Sequence, residues 1–165
     1  MMNAMLYTRV DSPIGELLLI GDERSLHGLH MLDGPRPPRI AAGWERHDEC
    51  FAPVRRELDE YFAGSRTAFE VPLTVAGAPF DQLVWQQLRR IPYGETISYG
   101  ELARRIGHPS AARAVGMANG RNPISVIVPC HRVIGGDGSL TGYGGGLERK
   151  RFLLELEAGV LTLTL

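Results

Sequence analysis

Apolar and polar positions follow one another in two different rhythms along this chain, and the change falls near its middle. Over the first 35 residues the apolar positions form short runs broken by turn-forming residues. Met5–Val10, Glu16–Ile20 and Leu26–Met31 read as antiparallel strands, with Asp11-Ser12-Pro13-Ile14-Gly15 as the first turn. Arg36-Pro37-Pro38 reads as a loop. Phe51, Val54, Leu58, Tyr61 and Phe62 then recur at helical spacing, and Gly64 is placed to stop that helix. Phe69–Val75 reads as one more strand. Gly77-Ala78-Pro79 separates two patterned segments, so domains are expected over residues 1–77 and 78–165.

Beyond that boundary the rhythm is mainly helical. Phe80, Leu83, Val84, Leu88 and Ile91 mark an amphipathic helix that Pro92-Tyr93-Gly94 should end. Ser98 and Glu101 have the spacing of a capping box for a short helix over Tyr99–Ile106. Gly107-His108-Pro109 follows as a turn, and Ser110 is expected to cap a second helix that runs to Asn119-Gly120. Two short helices about such a turn describe a helix-turn-helix. The predicted class is therefore α/β (α+β): a small N-terminal antiparallel sheet with a helix, then a mainly helical, winged-helix-like C-terminal part.

The second of those helices is unusually smooth. Ala111, Ala112, Ala114, Gly116 and Ala118 remove nearly all bulk, while Arg113 projects from among them. Such a helix can approach another surface closely. That surface could be a DNA groove, where one arginine can enter the base stack or meet phosphate. The residues by themselves favour the other surface, the protein's own interior, with Arg113 in solvent.

A further apolar run, Ile124–Val128, is β-branched enough to read as a buried strand, and Pro129 should end it. Cys130, His131 and Arg132 come next. A thiol is a useful nucleophile only as its thiolate, and a neighbouring base or positive charge favours that form. A lone cysteine is also a good small core residue. These four residues balance the two readings.

Composition narrows the setting. Hydrophobic residues make up 44% and charged residues 22%, the proportions of an ordinary soluble globular protein. Met1–Ala4 has no basic leader, and no segment approaches the roughly 18 apolar residues of a membrane span, so neither a secretory signal nor a membrane anchor is expected. Cys50 and Cys130 make no disulfide framework, which suits a reducing cytoplasm. His27, His30 and His47 near Cys50 lack the paired spacing of a zinc site. Residues 1–77 carry 8 Arg against 12 Asp and Glu, net −4, whereas residues 78–165 carry 10 Arg and Lys against 7 acids, net +3. The basic half suits an anionic partner.

Taken together and in order, three stretches resemble the O6-alkylguanine-DNA alkyltransferases, or methylated-DNA–protein-cysteine methyltransferases. They are Ile91-Pro92-Tyr93-Gly94-Glu95-Thr96-Ile97-Ser98-Tyr99, Ala111-Ala112-Arg113-Ala114-Val115-Gly116, and Asn122-Pro123-Ile124 through Val133-Ile134 with its central Pro129-Cys130-His131-Arg132. Thr141-Gly142-Tyr143-Gly144-Gly145-Gly146-Leu147, Leu153-Leu154 and Glu157 follow. The resemblance covers nearly all of residues 80–159, while the N-terminal half is similar only in layout.

The resemblance implies DNA repair by irreversible, once-only transfer of an alkyl group from O6 of guanine in duplex DNA to the protein's own cysteine. O4-alkylthymine would be a lesser substrate. Cys130 would be the acceptor, His131 the base acting through a water, Glu157 the acid that orients it, and Asn122 a brace. Glu157 also lies one helical turn after Leu153 and Leu154, so a core-facing acid needing a partner is expected from the spacing alone. Tyr99 would donate to guanine N3 as the base leaves. Arg113 would fill the gap left by a flipped base, with Ala112 and Gly116 allowing close approach in the minor groove. The Val133 carbonyl would read the exocyclic amine, Tyr143 and Gly144 would wall the pocket, and Arg132 would join the DNA-contacting set.

The implied partner is duplex DNA carrying alkylated guanine, bound by a monomer, with cooperativity along DNA left open and with no cofactor or metal. Many relatives have serine where this chain has Gly144. On this resemblance neither the N-terminal zinc site of some relatives nor the additional regulatory domain of others is expected, and Cys130 separates the chain from the branch that replaces the cysteine. A helix-turn-helix regulator with a structural cysteine would need neither the His131 and Glu157 pairing nor the glycine-rich loop. A thiol hydrolase would rarely place cysteine beside histidine.

Overall fold

The computed structural model describes residues 5–34 and 37–160. The start at Met1–Ala4 and Arg36 of the expected loop lie outside the described residues. Strands β1 (Leu6–Val10), β2 (Leu17–Gly21) and β3 (Leu26–Met31) form an antiparallel meander. The first turn closes with the Gly15 amide donating to the Ser12 carbonyl at 3.0 Å, and Gly15 adopts φ +100°, which suits glycine. β2 is the apolar run Leu-Leu-Leu-Ile-Gly, buried throughout because it has strands on both edges and cover on both faces. A fourth strand, β4 (Glu45–Arg46), adds in parallel beside β1, giving the order β3-β2-β1-β4. The sheet is thus mixed rather than purely antiparallel. Two exposed charged residues carry no strand pattern, which is why β4 was not predicted.

Helix α1 (Ala52–Phe62) buries Val54, Leu58, Tyr61 and Phe62, one face of a 3.6-residue period, and Gly64 follows it at φ +79°. The strand expected over Phe69–Val75 is absent. Leu73 makes a single parallel bridge to Leu26, with the Leu26 amide on the Pro72 carbonyl and the Thr74 amide on Leu26, both at 2.9 Å. Pro72 has no amide to donate, so the pairing cannot extend on the N-terminal side of that bridge.

Helix α2 (Pro79–Leu88) starts on proline and stops three residues short of Ile91, which packs in the core after the helix has ended. Strand β5 (Ile97–Ser98) leads into helix α3 (Tyr99–Arg105), whose first turn is capped by the Ser98 hydroxyl accepting from the Glu101 amide at 3.0 Å. Glu101 does not reach back to complete the box. Its carboxylate turns to Arg104 at 2.9 Å instead.

Helix α4 (Ala112–Gly120) begins after Ala111, not at Ser110, and has no side-chain cap. The Ala111 amide donates to the His108 carbonyl at 2.9 Å, so the preceding turn runs past Ser110 and displaces it from the capping position. Strand β6 (Val133–Ile134) pairs in parallel with β5, and helix α5 (Leu147–Glu157) closes the fold. A single buried cluster runs from Leu6 on β1 to Leu156 on α5, so both halves share one core.

Ile124–Val128, expected as a strand, is a chain of tight turns. Ile124 bridges Leu29 of β3, and the pairing stops there. The Ile127 amide donates to the Ser125 carbonyl at 2.8 Å across Val126, whose φ is +72°. That is a γ-turn with positive φ, a conformation that costs a β-branched residue about 1–3 kcal/mol. A second γ-turn follows about Pro129 (φ −83°, ψ 66°), with the Cys130 amide on the Val128 carbonyl at 2.8 Å. Apolar content misled the strand reading here because these residues are buried as turns.

Candidate active site

The two γ-turns deliver Cys130 to the start of a short 3-10 turn, Cys130–Arg132. Asn122 braces them. Its amide nitrogen donates to the Val128 carbonyl at 2.7 Å, while its oxygen accepts from the Ile124 amide at 3.0 Å. One side chain thereby ties both ends of the segment that holds Val126 in its strained state.

Cys130 is a free, buried thiol. Burial pushes its pKa up, while the Asn122 amide and the Lys150 charge work the other way. At rest it is a protonated thiol that needs a base. His131, the next residue, is completely buried. Its Nε2 lies 2.7 Å from Glu157 Oε2, and Nδ1 has no hydrogen-bond partner among the described residues. Burial lowers the pKa of His131, against the opposing pull of Glu157. A neutral imidazole that donates through Nε2 leaves a lone pair on Nδ1, the state a base requires.

Glu157 sits on the inner face of α5 and collects donors from four directions. Arg132 Nε donates to Oε1 at 2.7 Å and Nη2 to Oε2 at 3.0 Å, the Gly94 amide approaches Oε1 at 3.4 Å, and the Tyr61 hydroxyl donates to Oε2 at 2.5 Å. Against the burial that would raise its pKa, His131 and Arg132 hold the carboxyl down to about 2. Arg132, grouped with the DNA-contacting residues in the sequence, turns inward, and its Nη1 also donates to the Ile91 carbonyl at 2.7 Å. It braces the acid.

A cavity of about 770 Å³ opens beside Cys130. Arg113, Gly116 and Met117 of α4 form one wall, Tyr99 and the 141–145 loop another, and His30 and Met31 of β3 reach in from the N-terminal half. Tyr99 donates to the Thr141 carbonyl at 2.9 Å, and its ring packs 3.6 Å from where a Cβ at Gly116 would stand. Ala112, in the first turn of α4, is half-buried. Arg113 is exposed and has no ion pair among the described residues. Tyr143 is buried at the hydroxyl, whereas a Cβ at Gly144 would meet open space, so the serine of relatives would fit there. Gly145 is different, because a Cβ would fall 2.0 Å from Met31 Sδ. The Val133 carbonyl already accepts from Lys150 Nζ at 2.6 Å.

Three side chains at this site were not singled out in the sequence. Lys150 is the chain's single lysine and is fully buried, and its position three residues before Leu153 and seven before Glu157 could have placed it on the inner face of α5. Asn119 donates to the Cys130 carbonyl at 3.3 Å and so ties α4 to the segment that carries the thiol. Its spacing from Val115 is a visible signal for burial. Tyr61 had been read only as core, and nothing in the pattern of α1 names its partner 96 positions away.

α4 is held from behind by α2: Trp85 Nε1 donates to the Ala118 carbonyl at 2.9 Å, and Arg121 pairs with Asp81 at 2.7 Å. A small-residue helix with one exposed arginine is thus fixed beside a buried thiol and the His131–Glu157 pair. Fold and site thus set a buried thiol and a histidine–glutamate pair, the parts of a thiol nucleophile, beside two short helices joined by a tight turn. Residues 5–75 match the ribonuclease-like domain, and residues 79–159 the DNA-binding domain, of 6-O-methylguanine DNA methyltransferase, so the chain belongs to that family.

The methylated-DNA–protein-cysteine methyltransferase of Methanosarcina acetivorans is 50% identical over 153 residues, covering 93% of this chain and 98% of the relative. That of Mycobacterium leprae is 55% identical over 155 residues, 93% of each. The Mycobacterium tuberculosis OGT in complex with DNA superposes with a TM-score of 0.89 at 51% identity, covering 96% of both chains. This chain is an enzyme of the same kind, a DNA-repair alkyltransferase. No helix among the described residues is long and apolar enough to cross a membrane.

Proposed function

We propose that the protein removes the alkyl group from O6-alkylguanine in duplex DNA in a single, irreversible turnover that ends with S-alkyl-Cys130. The observation that carries this reading is the buried Glu157–His131 pair next to a protonated thiol on the floor of a cavity walled by α4. His131 Nδ1 takes the thiol proton through a water, the thiolate sulfur attacks the alkyl carbon, and the C–O6 bond breaks with its electron pair going to guanine. Tyr99 donates to guanine N3 as that charge develops. No group present would then cleave the thioether carbon–sulfur bond, so the protein is spent.

O6 is hidden inside a duplex, and the damaged nucleotide must be rotated out at a cost of a few kcal/mol. In this proposal α4 enters the minor groove of DNA as a monomer, and Ala112 and Gly116 allow the approach. Arg113 fills the vacated place in the stack. The Val133 carbonyl reads the exocyclic amine, Tyr143 and Gly144 wall the pocket, and O4-alkylthymine is a lesser substrate. Residues 1–77 and 78–165 act as two domains around one site, in the cytoplasm. Titrating the protein with excess O6-methylguanine duplex tests the turnover: repaired base should plateau at one per protein molecule, and continued release beyond that would overturn the scheme.

A further inference from the structure

The proposed chemistry uses residues of the C-terminal half alone, yet one donor on its acid comes from the other half. Tyr61, on α1, is fully buried, and its hydroxyl donates at 2.5 Å to Glu157 Oε2. That is the same oxygen that faces His131 Nε2 at 2.7 Å. Tyr61 is itself held by an aromatic set, with Phe62 at 5.2 Å, Phe69 at 5.3 Å and Tyr93 at 6.2 Å between ring centroids. The donor is therefore rigid, and its position is set by packing within and against the N-terminal half. We propose that Tyr61 is a positioning residue for the transfer, through which the N-terminal half fixes Glu157 and trims the basicity of His131. This inference rests on the reading of His131 as the base.

Glu157 Oε2 shares its charge between the Tyr61 hydroxyl and His131. A hydrogen bond to a carboxylate is a strong, charge-assisted one, and every donor withdraws density from the oxygen it meets. With Tyr61 in place, less negative charge is left on Oε2 to stabilise an imidazolium on His131. The other groups facing this pair are Arg132 and the Gly94 amide on Glu157, the nearby Tyr93 ring, and the Lys150 ammonium, whose charge also disfavours protonated His131. All act in the same sense as Tyr61, or leave the balance unchanged when Tyr61 is altered. Burial and the adjacent Glu157 charge keep the Tyr61 phenol far above its ordinary pKa, so it remains a donor at any working pH.

Tyr61→Phe deletes the hydroxyl alone. Its loss leaves Oε2 more negative, makes His131 easier to protonate, and moves the acid limb of the pH–rate profile for alkyl transfer to higher pH. The His131 imidazole, followed by NMR in the alkyl-free protein, should show its titration midpoint moving up with it. Site-specific 3-fluorotyrosine at position 61 is a stronger donor of nearly the same shape, so it should move both midpoints down and keeps the test available if the phenylalanine variant folds poorly. A uniform loss of rate with unmoved midpoints would reduce Tyr61 to packing and overturn the proposal. The NMR titration needs no substrate, so a wild-type protein that fails to transfer would count against the proposed function and leave this inference separately decided.

Discussion

Lys150 Nζ lies 2.6 Å from the Val133 carbonyl oxygen and 2.8 Å from that of Thr141, with the Tyr99 ring 5.8 Å away. No carboxylate pairs with this ammonium among the described residues. A buried cation held by carbonyls alone does two things. It staples the 141–146 loop to the strand that follows Cys130, and it supplies positive charge near the thiol.

Lys150→Met should therefore raise the thiol pKa, because the cation that lowers it is gone. The rate of Cys130 modification by iodoacetamide, measured against pH, should rise at a higher pH than in the wild type. Stability should fall by about 1–3 kcal/mol in urea denaturation, as the Val133 and Thr141 carbonyls lose their donor. Lys150→Arg should restore little, since a planar fork does not fit a site shaped for a point charge. An unchanged iodoacetamide profile would remove the electrostatic role.

Acid should unfold the protein in two stages. Glu157 titrates at about 2 in the fold against an ordinary 4.5, so it contributes stability that is present above pH 4.5 and is lost as pH falls towards 2. The shift corresponds to about 3 kcal/mol. The folded-state pKa of His131 is also depressed, so below its ordinary 6.5 the unfolded chain takes up a proton the fold resists, and stability starts to fall there. Urea midpoints from pH 7 to 3 should thus decline from near pH 6.5 and more steeply below 4.5. In Glu157→Gln the steeper stage should vanish; its persistence would show that other carboxylates carry it.

Much of this site was legible in the sequence, and the misses have a common cause. Glu157 sits where helical period puts it, Cys130, His131 and Asn122 are named by the family resemblance, and α1, α3 and α4 lie within a few residues of their predicted ends. Ile124–Val128 is buried without being extended, and hydrophobic pattern reports burial alone. A β-branched run that is held by Asn122 and bent at Val126 looks like a strand to any reading of hydrophobicity. Arg132 is a different case: the resemblance groups it with the DNA-contacting residues, and only the fold shows the buried acid that it meets. Tyr61 could not be found, because its partner is 96 residues away and local pattern carries no long-range hydrogen bond.

The role given to Arg113 separates opening the duplex from the chemistry that follows. Arg113→Ala should slow transfer from O6-methylguanine in duplex DNA by roughly tenfold or more, the worth of one good contact in the opened helix. Transfer from the free base, which needs no extrusion, should be nearly unchanged. Stopped-flow quenching with both substrates checks this, and equal losses on the two would count against the intercalating role.

In the proposed reaction Cys130 itself carries the alkyl group away. Incubation with duplex DNA bearing O6-[methyl-³H]guanine, followed by proteolysis and peptide mass spectrometry, reads this directly. One methyl group per protein molecule is expected, on the peptide containing Cys130, and none after Cys130→Ser although DNA is still bound. Label on the peptide containing Cys50, or methyl released to solvent with Cys130 unmodified, would contradict it.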